Sequence, residues 1–345
     1  MLRYLTAGES HGKGIVTILE GMPAGVKIDT AVVNQELKRR QSGFGRGARM
    51  KIENDRAQIL SGLKNNIALG SPITVLIENK DSSIEKLHDV LCPRPGHADL
   101  AGLLKYGLND VREVLERASA RSTAATVAAG ALCKIFLKNF DINIMSRPLS
   151  IGGESTRGGM IKIIQGAIKN KDTVGGVFEV IAKNVPVGLG SYVQQDRRLD
   201  GLFAQQIMSI PGIKSVEVGL GLGYGFSFGS EVHDAIYYKN GKYLRKTNNA
   251  GGIEGGISNG EDIIIRACMK PISTLMNPLD SVNIKTKKSA RAATERSDTC
   301  VVEAAGVVAE SAAAFVLAGA FLEKFGSDSL VDIKANFKNY IKRIS

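Results

Sequence analysis

Residues 116–137, ERASARSTAATVAAGALCKIFL, and residues 295–322, ERSDTCVVEAAGVVAESAAAFVLAGAFL, decide how this chain can fold. Each opens with Glu-Arg and runs into alanine, glycine and aliphatic residues that leave several helical faces apolar. Small side chains let a helix approach neighbours on both sides, so each stretch predicts a helix deep in the interior. Asp110 and Glu113 have capping-box spacing. A first helix is therefore expected over 111–138, about 42 Å long at the usual rise per residue. The second is expected from near Asp298 to about Phe325. The likeness between the stretches has two readings: a chance similarity of alanine-rich helices, or a pseudo-symmetric layering of helices and sheets.

Working outward, Cys300–Leu322 is the strongest membrane look-alike. Glu303 and Glu310 interrupt it on roughly one helical face, and carboxylates are costly in hydrocarbon. A buried helix of a soluble protein is expected, with no membrane partner. MLRYLTAGES at 1–10 lacks a basic stretch leading into an apolar run, so the expected location is cytoplasmic. The chain opens with a short strand-like piece, Ile15–Leu19 is an apolar run, and residues 52–78, especially Ile73–Ile77, carry strand signals. Thr30–Arg40 reads as a polar helix with Thr30 as cap. QSGFGRGARMK at 41–51 and the polar, proline-bearing 79–99 read as loops. The middle, 172–238, reads as a β-region with FEVIA, KSVEVGLG and FSFGSEV as strands, and EDIIIRACMK as a later strand. NNAGGIEGGISNGED at 248–262 is a glycine-rich loop.

The chain has 345 residues, 43% of them hydrophobic, which is enough for one large domain or two ordinary ones without disulfide or metal staples. The four cysteines form no CxxC pair, so buried reduced thiols are expected. Net charge is +11, which points to anionic partners. Nucleic acid is one class of anion. However, tryptophan is absent and aromatics are 6%, a poor supply for base stacking, and no nucleic-acid module is recognisable. Phosphorylated small molecules fit the charge equally well.

Two histidines sit in settings suited to chemistry. His11 lies in Gly8-Glu9-Ser10-His11-Gly12, where glycines let a ligand approach the backbone. Imidazole can protonate an oxyanion or phosphate near neutral pH. The plainer alternative is a turn histidine that only bonds the backbone. His97 lies in RPGHAD at 94–99. There Arg94 can hold an anion, and Asp99 either orients the imidazole or caps the next helix. Arg39, Arg40, Arg46, Arg49 and Lys51 form a basic, glycine-hinged segment suited to phosphate, or simply a solvated loop. Arg117 and Arg121 are four apart on one expected helical face, though Arg117 could pair with Glu113 instead. Lys270-Pro271-Ile272-Ser273-Thr274 places a cation beside a rigid turn and two hydroxyls. Arg296 would meet a phosphate at a helix start, and Asp298 could cap that helix. No metal-ligand spacing, serine-nucleophile elbow or dinucleotide fingerprint is present.

These words together resemble the chorismate synthase family. GESHG at 8–12, GMPAG at 21–25, LKRRQSGFGRGARMKIE at 37–53 and GSPI at 70–73 occur in that family's order. So do RPGHAD at 94–99, KYGLNDVR at 105–112, ERASARSTAATVAAGA at 116–131, NNAGGIEGGISNG at 248–260, MKPIST at 269–274 and ERSDT at 295–299. The resemblance implies an α+β fold over 1–345: a single-domain β-α-β sandwich with a central layer of helices between antiparallel sheets, assembled as a homotetramer. It implies a lyase converting 5-enolpyruvylshikimate 3-phosphate to chorismate and phosphate by 1,4-trans elimination, in the shikimate pathway. The reaction needs reduced FMN (FMNH2) without net redox change. Electron donation as the allylic C–O bond breaks, and its return as the C–H bond is lost, would supply the difficult step.

By motif, the resemblance assigns His11 to the reduced flavin and His97 to the substrate phosphate. It assigns Asp298 to passing the substrate proton through flavin N5, and Ser10 and Ser119 to organising the site. Arg117, Ala118, Ser119, Gly255, Lys270, Pro271, Ile272, Ser273, Thr274 and Arg296 match FMN contacts. Arg40 and Arg46 match positions near substrate or NADP. Whether NADPH reduces the flavin on this chain, or an external flavin reductase does, stays open. Two motifs depart from the usual pattern: Arg121-Ser122-Thr123 stands where Arg-Glu-Thr is common, and Arg296-Ser297-Asp298 where Arg-His-Asp is. Pro211-Gly212 falls where the family contacts FMN with other residues. Two other classes compete: a nucleic-acid-binding protein, and a flavoprotein with net redox turnover.

Overall fold

The structure, a computed structural model, describes residues 1–47, 54–239, 241–295 and 297–344. Four strands form a first antiparallel sheet: Arg3–Ala7 (β1), Gly14–Glu20 (β2), Ala57–Ile59 (β3) and Ile73–Glu78 (β4), in the order β1-β2-β4-β3. A second antiparallel sheet contains Asn143–Ile151 (β5), Gly176–Lys183 (β6), Ile213–Val218 (β7) and Ile263–Met269 (β8), in the order β5-β6-β8-β7. Within its own half, each sheet therefore has the same strand order: first, second, fourth, third. β8 shows why its residues make a strand. Ile263, Ile265, Ala267 and Met269 are buried while the residues between them are less so, the two-residue period of a sheet with one covered face.

The two quoted stretches supply the helices next to these sheets. Thr123–Lys138 (α4) lies on β2 and β4, Val302–Phe325 (α7) lies on β5 and β6, and the two helices pack against each other. Thr30–Gln41 (α1) touches both helices, and Leu199–Met208 (α6) covers α7 and β7. The approach of α4 to α7 depends on small residues. A Cβ added at Gly130 would lie 2.2 Å from Ser311 Cβ. Phe136, Phe140, Phe321, Phe325 and Phe337 form one aromatic cluster that fixes Leu330–Ile344 (α8) to the ends of α4 and α7. A fully buried phenylalanine contributes roughly 1.5–3 kcal/mol of transfer free energy.

Several expectations change. The helix expected over 111–138 is interrupted. Val111–Ala118 (α3) ends at Ser119, whose ψ of 143° is extended, and a short 3-10 turn over Ala120–Ser122 precedes α4. Asp110 caps α3 as expected, accepting from Arg112 N. The last long helix begins at Val302 rather than near Asp298, whose carboxylate is committed to Gly47 N instead of a helix end. Asp29, not Thr30, caps α1. FSFGSEV is not a strand. A 3-10 segment ends at Phe226 and a single turn covers Gly229–Val232, so this glycine-broken stretch joins neither large sheet. The β-region also hides α6, and Arg157–Lys169 (α5) and α8 arise where no helix was expected. As expected, the helix apolar and long enough to cross a membrane is interior: 89% of its apolar window is buried.

Candidate functional site

Two clusters gather most of the expected site residues. The first surrounds the turn between β1 and β2. Glu116, buried in α3, accepts from His11 N at 2.7 Å and faces His11 Nδ1 at 2.8 Å. Its own carbonyl accepts from Ser10 N at 2.9 Å. Ser119 Oγ lies 3.2 Å from Ser10 Oγ, so the break that ends α3 brings the two serines together. Asn79, at the end of β4, donates to the carbonyls of Glu9, Ser10 and Gly12 and pins the turn from below.

Buried charges continue from there. Arg121 donates to Asn79 Oδ1 at 2.8 Å and to Asp55 Oδ1 at 2.5 Å. Arg40 donates to Thr123 Oγ1, the Ala120 carbonyl and Asp55 Oδ2. Burial pushes the Arg40 guanidinium down to about 10; Asp55 opposes that shift, while Arg121 and Arg46 add to it. Burial likewise lowers Arg46, with Asp298 opposing. Arg46 Nη2 stands 3.5 Å from Asp298 Oδ2, and Gly47 N donates to Asp298 Oδ1 at 2.5 Å. Three of the expected residues, Arg40, Arg46 and Asp298, thus share one electrostatic neighbourhood.

The second cluster joins segments about 170 positions apart. Arg94 grips Asp99 through Nε at 2.8 Å and Nη2 at 3.0 Å, and donates to Thr274 Oγ1 at 2.7 Å. His97 Nδ1 is hydrogen-bonded to Asp99 Oδ1. Lys270 donates to the Gly96 carbonyl and to Ser273 Oγ, and Ser273 Oγ donates to the same carbonyl at 2.8 Å. Asp99 therefore orients His97 and does not cap the following helix, Asp99–Tyr106 (α2), whose N-cap is Ala98. Burial alone would raise the Asp99 carboxyl. Hydrogen bonds from His97 and Arg94 outweigh it and hold the group well below the usual carboxylate range. Burial, with Lys214 adding, lowers Lys270.

Arg112 connects the clusters. It lies 4.0 Å from Glu116 and 2.8 Å from Glu295, and two residues before Glu295 the Ala293 N donates to the carbonyl of Cys92, which stands two residues before Arg94. Glu116 and Glu295 are the two glutamates of the paired Glu-Arg words, and one guanidinium sits between them.

Some expected residues lie elsewhere. Arg117 and Arg121 share no helical face, because the break at Ser119 separates them. Arg121 turns inward, whereas Arg117 is exposed and donates to the carbonyls of Thr6 and Gly8 rather than to Glu113. Ala118 ends α3 beside it. Gly255, with φ +59°, sits in a tight turn whose carbonyl accepts from Arg198, away from both clusters. Pro271 and Ile272 connect Lys270 to Ser273, and the Ile272 carbonyl accepts from Thr173 Oγ1. Arg296, and Arg49 and Lys51 of the basic segment, lie outside the described residues. Sequence reasoning passed over Glu116, Arg112, Asn79 and Asp55. Arg112 and Glu116 lie in the words KYGLNDVR and ERASARSTAATVAAGA without a role of their own there, Asn79 and Asp55 lie in none, and only the fold brings all four to the site.

The chemistry of the donors suits anions. Arg46 Nε, Arg112 Nε and Nη1, and Arg121 Nη2 are buried nitrogens to which the described protein offers no hydrogen-bond partner. The backbone at Gly96 is also open: an added Cβ would meet only Lys270 Nζ at 3.5 Å and Ser273 Oγ at 3.6 Å. No group of three or more histidine, cysteine or carboxylate side chains suited to a metal occurs among the described residues.

A family profile described as chorismate synthase matches residues 2–322. The chain belongs to the chorismate synthase family. Similar proteins named chorismate synthase include one from Thermoanaerobacter pseudethanolicus, 51% identical over 99% of this chain and 98% of its own length. Another, from Geobacter sulfurreducens, is 47% identical over 100% of this chain and 99% of its own length. A solved crystal structure of chorismate synthase aligns with TM-score 0.83 at 40% identity, over 99% of this chain and 98% of that one. This chorismate synthase family member is a lyase of the shikimate pathway, serving aromatic amino-acid biosynthesis.

Proposed function

We propose that the two clusters form one site for the 1,4-trans elimination that turns 5-enolpyruvylshikimate 3-phosphate into chorismate. Phosphate leaves with the electrons of the broken C–O bond and a ring proton is released. The observation that supports this reading is the contact between the RPGHAD loop and Lys270–Thr274. It brings an imidazole, a guanidinium and an ammonium into one cluster. His97, oriented by Asp99, would protonate the departing phosphate while Arg94 and Lys270 balance its charge. His11 would hold positive charge or a proton beside the cofactor. Asp298 would accept the ring proton in the company of Arg46, and Ser10 and Ser119 would organise the turn. Arg40 and Arg46 would face substrate or NADP.

The unpaired guanidinium donors and the open backbone at Gly96 fit a phosphate-bearing cofactor, and we assign FMN to Arg117, Ala118, Ser119, Gly255, Lys270–Thr274 and Arg296. Reduced FMN, when bound, supplies transient electron density to the breaking allylic C–O bond without net redox change. Arg117 borders the first cluster through the Gly8 carbonyl, whereas Gly255 contacts neither cluster within one copy, which favours a homotetramer in which neighbours complete the site. The sheets lying outside α4 and α7 favour a single β-α-β sandwich domain. A cytoplasmic location fits a biosynthetic enzyme of this kind.

Phosphate release from the substrate, measured anaerobically with reduced FMN, tests the reading. His11→Ala and His97→Ala are expected to stay folded and to lose at least about 10²-fold in turnover. Near-native rates in both would overturn it. Stoichiometric consumption of reduced flavin would instead indicate net redox chemistry. Comparing NADPH in air with an anaerobic chemical reductant separates self-reduction from dependence on an external reductase.

A further inference from the structure

Glu116 is buried, and both of its carboxylate oxygens are directed at one residue. Oε2 takes the backbone N–H of His11 and Oε1 faces Nδ1 of the same residue. The backbone N–H can only donate, so Oε2 must accept. Burial would raise this carboxyl, but hydrogen bonds from the His11 side chain and backbone, with Arg112 behind, outweigh it and lower it. An ionised carboxylate only accepts, so Nδ1 must donate. That leaves Nε2 as the ring nitrogen that Glu116 does not engage. We propose that Glu116 is a positioning residue for the elimination: it locks the His11 proton on Nδ1 and makes Nε2 the working nitrogen. This rests on the reading that His11 acts in the reaction.

The geometry makes the role sharper than simple support. A glutamine at 116 has one accepting oxygen and one donating nitrogen. The backbone N–H of His11 claims the oxygen, so the amide nitrogen must face Nδ1. Nδ1 then has to accept, and the neutral imidazole proton moves to Nε2. Glu116→Gln should therefore invert the His11 tautomer in a side chain of the same size. Glu116→Asp keeps two accepting oxygens and should keep the proton on Nδ1.

Nitrogen-15 histidine NMR of the full-length protein reads the tautomer directly, with the His11 signals assigned by His11→Asn. The wild-type protein is expected to show a protonated Nδ1, Glu116→Gln a protonated Nε2, and Glu116→Asp the wild-type pattern. In the phosphate-release assay, kcat of Glu116→Gln is expected to fall about 10²–10⁴-fold with KM little changed. Glu116→Asp should recover a substantial part of that rate. A wild-type His11 with its neutral proton on Nε2 would overturn the proposal without any variant. So would a Glu116→Gln protein that loses turnover while Nδ1 stays protonated, since the loss would then be structural. If His11→Ala retains activity while Glu116 still sets the tautomer, the assignment of His11 fails and the tautomer argument stands.

Discussion

At the scale of single residues, the site depends on carboxylates held ionised in places that would otherwise neutralise them. Asp99 is fully buried, yet Arg94 and His97 keep its carboxyl well below the ordinary range. A carboxyl with a folded value below its unfolded value, about 3.9, adds stability that is complete above that unfolded value. The contribution is lost as pH falls toward the folded value. Urea unfolding of the wild-type protein should therefore weaken as pH drops below about 4, and Asp99→Asn should lack this group's share of that acid limb. At neutral pH the variant leaves Arg94 buried without its counter-charge, so a loss of about 3–5 kcal/mol is expected in the same measurement. Near-native stability at pH 7 would mean that the Arg94–Asp99 pair contributes little. Residue chemistry was only half legible beforehand. His11 and His97 stood out because glycine and charged neighbours frame them. Asn79 and Asp55 carry no local signature, and the word that Glu116 opens does not declare its role, because each role is a contact with chain 66 to 105 positions away.

At the scale of elements, the alanine-rich stretches declared buried helices correctly because small residues on several faces have no other use in a soluble protein. What they could not declare was the interruption at Ser119. Propensity favours continuing through ERASARSTAA, but Arg40 and Ser10 draw the Ala120 carbonyl and the Ser119 hydroxyl toward the site. Tertiary contacts outweigh a local preference of a few tenths of a kcal/mol per residue. FSFGSEV failed for a related reason: alternating aromatics suggest a strand only if a neighbouring strand is available to pair. The contact between α4 and α7 gives a direct test. Gly130→Ala would gain about 1 kcal/mol of helix propensity. It would also place a methyl group 2.2 Å from Ser311 Cβ and 2.4 Å from its Cα, neither of which can swing away as a flexible side-chain tip would. Overpacking of this kind costs roughly 1–3 kcal/mol or more. The net expectation is a lower melting temperature; an unchanged or raised one would show that the helices separate easily.

For the whole molecule, the two halves repeat one sheet order, and the paired Glu-Arg words open or precede the long helix of each half. That favours a real pseudo-symmetry over a chance likeness of alanine-rich helices. The net charge of +11 narrows in meaning as well. Several of its arginines are spent on buried pairs inside the protein, so generic oligonucleotides should bind weakly and lose what affinity they have between 50 and 200 mM salt. A nitrocellulose filter assay that finds tight binding at low salt, falling steeply as salt is added, would revive the nucleic-acid reading. The halves are joined across the helical layer by charge as well as by packing. Glu310 of α7 is fully buried and accepts from Arg39 of α1, Lys134 of α4 and Ser146 of β5, while Glu36 takes the same two cations. Burial would raise Glu310, but Arg39 and Lys134 outweigh it and keep the group lowered. Two acids against two bases leave the network neutral, so its members should not contribute independently. Glu310→Ala strands Arg39 and Lys134 against Glu36 alone and should cost about 3–5 kcal/mol in denaturant unfolding. Adding Lys134→Met to Glu310→Ala removes one stranded cation, so the double variant should lose less than the sum of the two single losses. Strict additivity would mean that apolar packing alone holds the first half to the second.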